Sequence, residues 1–180
     1  PLLLAALAPF APASLEAAVL NVPTATYPSI QAAVTAASPG DTVLVAPGTY
    51  QEAVLLTKDG VEVRGQETAR TLLNGNGSSP IFTISNSAVS GTIRNFTFLN
   101  AAVGILVSGN SSTFSIVNNV FQAATGTAIE VQGSPGVSVA NNTFFENGTA
   151  VSRDDDIVIL NNIFKNNTTA IADTSGLDAN

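Results

Sequence analysis

The feature that most restricts what this chain can fold into is a segment that recurs four times in its second half. TIRNFTF (92–98), SIVNNVF (115–121), SVANNTF (138–144) and VILNNIF (158–164) align without gaps, and Phe98, Phe121, Phe144 and Phe164 fall 23, 23 and 20 residues apart. A fixed period near 20 residues marks a solenoid, in which each unit buries its apolar face only against its neighbours. Three positions before each Phe stand Asn95, Asn118, Asn141 and Asn161, and two positions before those stand Ile93, Ile116, Val139 and Ile159. A further column holds Ile105, Ile129, Val151 and Ile171, preceded by the small residues Gly104, Ala128, Ala150 and Ala170. Each repeat therefore supplies at least two strands. Strands that never reverse must stack in parallel from coil to coil, about 4.8 Å apart. The pattern predicts a β-solenoid with a Phe ladder, an aliphatic ladder and an Asn ladder at a bend, where Asn tolerates the left-handed region and bonds to its neighbours.

The first half supports the same reading. PSIQAAVTAA (28–37) predicts a short amphipathic helix with Ser29 as N-cap and Ile30, Ala33, Val34 and Ala37 on one face, stopped by Pro39, Gly40 and Asp41. Strands are expected at 42–46, 54–57, 61–64 and 81–84, with a turn at Pro47, Gly48, Thr49 and Tyr50. Ahead of these, PLLLAALAPFAPA (1–13) reads as the hydrophobic stretch of an export signal, with Ala11, Pro12 and Ala13 as a small-x-small cleavage site, or as a retained apolar arm. It is too short for a membrane span and is broken by Pro9 and Pro12, so an integral membrane protein is not expected. The expected division is 1–26 as export signal or assembly arm and 27–180 as the solenoid domain.

Composition narrows the function. Six Lys and Arg against 13 Asp and Glu leave a net charge of −7, which argues against nucleic acid, since phosphate binding needs clustered cations. No Cys is present, so disulfide and thiolate chemistry are closed. No His is present either, which removes the commonest general base and transition-metal ligand and leans the chain away from enzymes.

The segment YPSIQAAVTAASPGDTVLVAPGTYQEAVLLTKDGVEVRGQ (27–66) resembles the opening of pectin-lyase-like proteins, where a capping helix leads through a Pro-Gly-Asp turn into the first strand and a Pro-Gly-Thr-Tyr turn follows. The NNxF repeats are similar to later coils of that superfamily, and together the likeness spans about 27–175. It implies an all-β fold, a right-handed parallel β-helix of about six coils with a short N-terminal capping helix. It does not select a function, because the superfamily holds lyases, polygalacturonases, epimerases, phage spikes and noncatalytic surface proteins.

Arg153, Asp154, Asp155 and Asp156 form the strongest charged cluster. Asp154, Asp155 and Asp156 could hold Ca²⁺ as in some lyases of the superfamily, or present two carboxylates to a glycosidic bond; the superfamily's proton-abstracting lyases use Arg or Lys as base, and Arg153 is the basic residue beside these acids. The superfamily's polygalacturonases pair such acids with a His-bearing motif and an Arg-x-Lys motif, and this chain carries neither. The structural alternative is a solvated turn. Arg153 shares the column of Val107 and Val131, and Asp173 follows one coil later, which predicts a cross-coil ion pair worth about 0.5 kcal/mol if exposed. Seven Asn begin an N-x-Ser/Thr sequon: Asn76, Asn95, Asn110, Asn141, Asn147, Asn166 and Asn167. Asn95 and Asn141 are expected to be internal, and Asn76, Asn110, Asn147 and Asn166 to lie on turns open to a glycan.

The function expected from these features is that of a secreted or cell-surface, noncatalytic structural protein that self-associates head to tail into a filament, without a cofactor unless Ca²⁺ is bound. An arm spanning residues 1–20, or the first coil of one subunit, would cover the last coil of the next. A lyase or hydrolase acting on an acidic glycan, and a surface adhesin, are the alternatives. Release of unsaturated product from pectate or alginate with calcium separates the first of these from a structural role.

Overall fold

The structure is a computed structural model that describes residues 16–77, 80–85, 89–109, 113–154 and 156–175. Among the described residues nineteen strands and one helix follow in order: β1 (Val19–Val22), α1 (Ile30–Ala36), then six successive coils of three strands each. The coils are β2 (Thr42–Val45), β3 (Gly48–Tyr50) and β4 (Val54–Leu56); β5 (Val61–Gly65), β6 (Thr71–Asn74) and β7 (Phe82–Ile84); and β8 (Ser90–Arg94), β9 (Thr97–Leu99) and β10 (Val103–Ser108). They continue with β11 (Thr113–Val117), β12 (Val120–Gln122) and β13 (Thr127–Gln132); β14 (Val137–Ala140), β15 (Thr143–Phe145) and β16 (Thr149–Arg153); and β17 (Val158–Leu160), β18 (Ile163–Lys165) and β19 (Thr169–Asp173). First, second and third strands of the coils form three parallel sheets, A, B and C, of seven, six and six strands. The two or more strands expected per coil are three.

In-register stacking turns the sequence columns into ladders. In sheet A the inward column runs Leu20, Val43, Val63, Ile93, Ile116, Val139, Ile159. In sheet C it runs Val54, Phe82, Ile105, Ile129, Val151, Ile171. The predicted Phe ladder is present in sheet B, with ring centroids 4.6, 5.1 and 5.1 Å apart from Phe98 through Phe164 and planes within 12°. The rung spacing itself sets this stacking, because identical side chains one rung apart lie at ring-contact distance. The small residues before the sheet C column are steric: a Cβ on Gly104 would sit 2.5 Å from the Ala128 carbonyl oxygen.

The Asn ladder lies one residue later than predicted. Asn95, Asn118, Asn141 and Asn161 adopt φ of 62, 56, 55 and 53°, turning the chain from sheet A into sheet B, and Asn141 is exposed. The residues after three of them point inward. Asn119 and Asn142 are 1% exposed, and with Asn162 they form a chain in which each Oδ1 accepts from the backbone N–H of the residue one rung below. Each Nδ2 donates to a carbonyl of the previous coil, Ile93, Ile116 or Val139. A second ladder, Asn147 and Asn167, does the same at the turn from sheet B to sheet C, donating to Phe121 and Phe144. The expectation that Asn147 is open on a turn is thereby corrected, since its amide is inside and fully bonded.

The capping helix forms as predicted. Ser29 accepts from Ala32 N–H, Glu52 accepts from Ile30 and Gln31 N–H, and Ile30, Ala33 and Val34 are buried over the first coil. The boundary at residue 27 moves, however. Val19–Val22 pairs along its length with β2 and buries Leu20 and Val22, so Leu20 is part of this chain's own core, outside any free arm; residues 1–15 fall outside the described residues. Four residues of alternating V-L-N-V are too short to stand out beside a longer apolar run.

Asp41 ties this first rung to the helix exit. Its carboxylate accepts from Ser38 N–H at 2.8 Å and Ala18 N–H at 2.7 Å, and those bonds, led by Ser38, hold its pKa below the ordinary 3.8 against the opposing effect of burial. Asp59 is lowered likewise, first by the Ser90 hydroxyl and then by its N–H. A depressed folded pKa stabilises the fold above the unfolded value and loses that contribution as pH falls through the folded one. Urea midpoints should therefore hold down to about pH 4 and drop below it, and the Asp41→Asn, Asp59→Asn double variant should start lower at neutral pH and show a flatter acid limb. Parallel acid limbs in the two proteins would remove these carboxylates from the account.

Candidate functional site

The predicted charged cluster begins at the end of β16. Arg153 occupies the inward sheet C column above Leu56, Ile84, Val107 and Val131, and Asp173 follows it in register. The predicted ion pair forms, Arg153 Nη2 to Asp173 Oδ2 at 2.6 Å, and both side chains are about four-fifths buried, more enclosed than an exposed pair. Asp156, almost fully exposed, meets Arg153 Nη1 at 3.3 Å. Asp154 turns elsewhere, accepting from Gly133 N–H at 2.7 Å and so clasping the turn of the preceding coil. Asp155 lies outside the described residues. The described acids of the cluster are thus divided between a guanidinium and a backbone turn. Among the described residues no group of three or more acidic side chains is gathered as a metal site would require.

Of the sequon residues, Asn76, Asn141 and Asn166 are exposed, all three with positive φ, while Asn95 is half-buried. Asn141 was expected inside and is outside; its neighbour Asn142 holds the interior place. Asn167 is tied to Asn147 and Phe144, and Asn110 lies outside the described residues.

A charged constellation of residues far apart in the sequence lies on the outer face of sheet A. The outward column there reads Leu44, Arg64, Arg94, Val117, so two arginines face each other on adjacent rungs. Glu62, two residues before Arg64, accepts from Arg94 Nε through one carboxylate oxygen and from the Thr42 hydroxyl at 3.2 Å through the other. Leu44, Arg64, Gly65, Gln66, Arg94 and Asn95 line a shallow groove of about 320 Å³. The signal was in the register: Val63 and Ile93 share a column, which puts Arg64 opposite Arg94, but the 30-residue step between them exceeds the 20 to 23 of the later coils.

Three parallel sheets, a single winding sense and in-register ladders are the marks of one architecture, and the model of the family described as right handed beta helix region matches residues 56–178. The chain belongs to the right-handed β-helix family. The match covers five of the six coils of this right-handed β-helix and both Asn ladders, and the first coil with its helix continues the same stack below it. No curated protein matches the chain. No helix among the described residues of this right-handed β-helix is long and apolar enough to cross a membrane.

Proposed function

We propose that this right-handed β-helix serves outside the cell as a noncatalytic structural subunit that stacks head to tail on copies of itself. The observation that carries this reading is the last described rung. Among the described residues its strands β17, β18 and β19 each have a rung on one side only, and Val158, Leu160, Ile163 and Ile171, four of the six large apolar side chains exposed there, are 43 to 62% exposed. Among the described residues the core columns reach Ile159, Phe164 and Ile171, in the positions that are buried one rung below. An open parallel edge with apolar side chains is a template for a further parallel strand.

The first rung of a second copy offers a complementary surface. β1 is the edge of sheet A at the opposite end, Val19 is half exposed, and the outer face of α1 presents the small side chains Ala32, Thr35 and Ala36. Setting β1 of one copy beside β17 of another continues sheet A in parallel, while α1 lies over the end of the Phe and Ile columns. This contact is heterologous and propagates. Exposed Asn76, Asn141 and Asn166, each opening a sequon, are compatible with an exported, glycan-bearing surface on the sides of such a stack.

Electron microscopy and sedimentation of the purified chain should show rods whose subunit repeat is about 34 Å, the seven sheet A strands of each copy at about 4.8 Å per rung. Ile163→Lys should return monomers without loss of β signal, because that side chain is exposed and lysine on an edge strand blocks pairing. A wild-type chain that stays monomeric at high concentration, or rods unaffected by Ile163→Lys, defeats the reading.

A further inference from the structure

A second site is written on the side of the column. Arg64 and Arg94 are directly opposed on β5 and β8, one rung apart and both outward. Like charges so placed repel, and here two of the six cations of a chain with net charge −7 are spent on one such contact. Glu62 relieves part of it, but both of its oxygens are engaged, one by Arg94 Nε and one by Thr42. Arg64 has no hydrogen-bond or ion-pair partner among the described residues, and Arg94 keeps its two terminal nitrogens free of any bond to them. Leu44 and Val117 close the column on either side with apolar surface, so no acid within it answers the second positive charge.

Two guanidinia, one anchored and one unpaired, flanking a groove make a fork that suits a planar or tetrahedral oxyanion, which can take paired N–H bonds from each. We propose that Arg64 and Arg94 form an oxyanion-binding site on the outer face of sheet A, taking a carboxylate, sulfate or phosphate group, with Glu62 as the residue that positions Arg94. The bound anion turns the repulsion between the rungs into a bridge across them. The site lies on the lateral face, away from both end rungs, so it stands or falls independently of head-to-tail stacking.

The test is titration of the ¹⁵N-labelled full chain with acetate, sulfate and phosphate, each against chloride at constant ionic strength near 0.15 M, where the Debye length of about 8 Å screens the general negative field. The Nε–Hε signals of Arg64 and Arg94 should shift along a saturating curve with at least one of the three anions, and the exposed Arg70, paired with Glu67, should not. Preference for sulfate and phosphate assigns a tetrahedral group, and preference for acetate a carboxylate. Arg64→Gln should weaken binding about tenfold, with Arg64→Lys between, since lysine keeps the charge and loses the fork. Shifts that rise linearly without saturation, equal shifts at Arg70, or undiminished binding by Arg64→Gln with an unchanged fold overturn the proposal.

Discussion

Phe121→Ala should lower the stability of the chain by about 3–5 kcal/mol, a large share of the 5–15 kcal/mol that holds a typical domain together. Phe121 is 1% exposed and stacked on both faces, at 4.6 Å from Phe98 and 5.1 Å from Phe144. Removing its ring opens a void between two rungs whose spacing is fixed by backbone hydrogen bonds, so the walls cannot close on it. Phe164 provides the control. It occupies the same column but stacks on one face only and is only partly buried, so Phe164→Ala should cost well under half as much. Denaturant midpoints of the two variants measure the difference. Because each coil contacts only its neighbours, the loss at Phe121 should also split the unfolding transition, the coils on either side melting separately. Equal losses at the two positions would mean that ring stacking between rungs contributes little.

What the sequence disclosed depended on how many coils repeated a pattern. Three NNxF units and the NFTF before them fixed the Phe and aliphatic columns, and with them the Arg153–Asp173 pair, because register in a parallel stack follows directly from alignment. The Asn ladder was misplaced by one residue for a physical reason. Only the first Asn of each pair is common to all four units, since Phe96 stands where Asn119, Asn142 and Asn162 stand later. That shared Asn is the one in left-handed conformation, and a single such residue turns the chain through the corner and breaks strict alternation, so the side chain after it points in. The same failure put Asn147 on the surface.

The early coils were harder to read. β3 carries the Gly-Thr-Tyr of an apparent turn, and β6 lacks the Phe of its column, where Leu73 stands instead. Without those marks the 30-residue step from β5 to β8 carries no register, and the sequence alone does not place Arg64 opposite Arg94. A local acidic run, by contrast, looked like a site and is divided between an ion pair and a turn clasp. Chemistry on a solenoid is assembled across rungs, and only register reveals it.

The sharpest consequence of the corrected ladder concerns Asn142. Its Oδ1 accepts from Asn119 N–H at 2.9 Å and Asn119 Nδ2 at 3.2 Å, and its Nδ2 donates to Ile116 O at 2.8 Å and Asn162 Oδ1 at 3.2 Å. Asn142→Leu keeps the volume and strands the Asn119 N–H and the Ile116 carbonyl in a dry interior. At about 1–3 kcal/mol for each buried group left unpaired, the loss should reach about 3–5 kcal/mol. Asn141→Ala, one residue away, removes only an exposed side chain and adds left-handed strain of about 1–2 kcal/mol. Asn142→Asp separates geometry from hydrogen bonding. It preserves shape and both acceptor contacts but turns an oxygen toward Ile116 O and Asn162 Oδ1, so the folded state resists ionisation and the new carboxyl's pKa rises above the unfolded value. A raised folded pKa imposes no cost below the unfolded value of about 3.9 and an increasing one as pH climbs toward the folded pKa. The deficit of Asn142→Asp relative to the native chain should therefore shrink on acidification, opposite in sign to the losses at Asp41 and Asp59. A deficit that is constant between pH 3 and pH 7, or an Asn142→Leu no weaker than Asn141→Ala, would return the ladder to the position first read from the sequence.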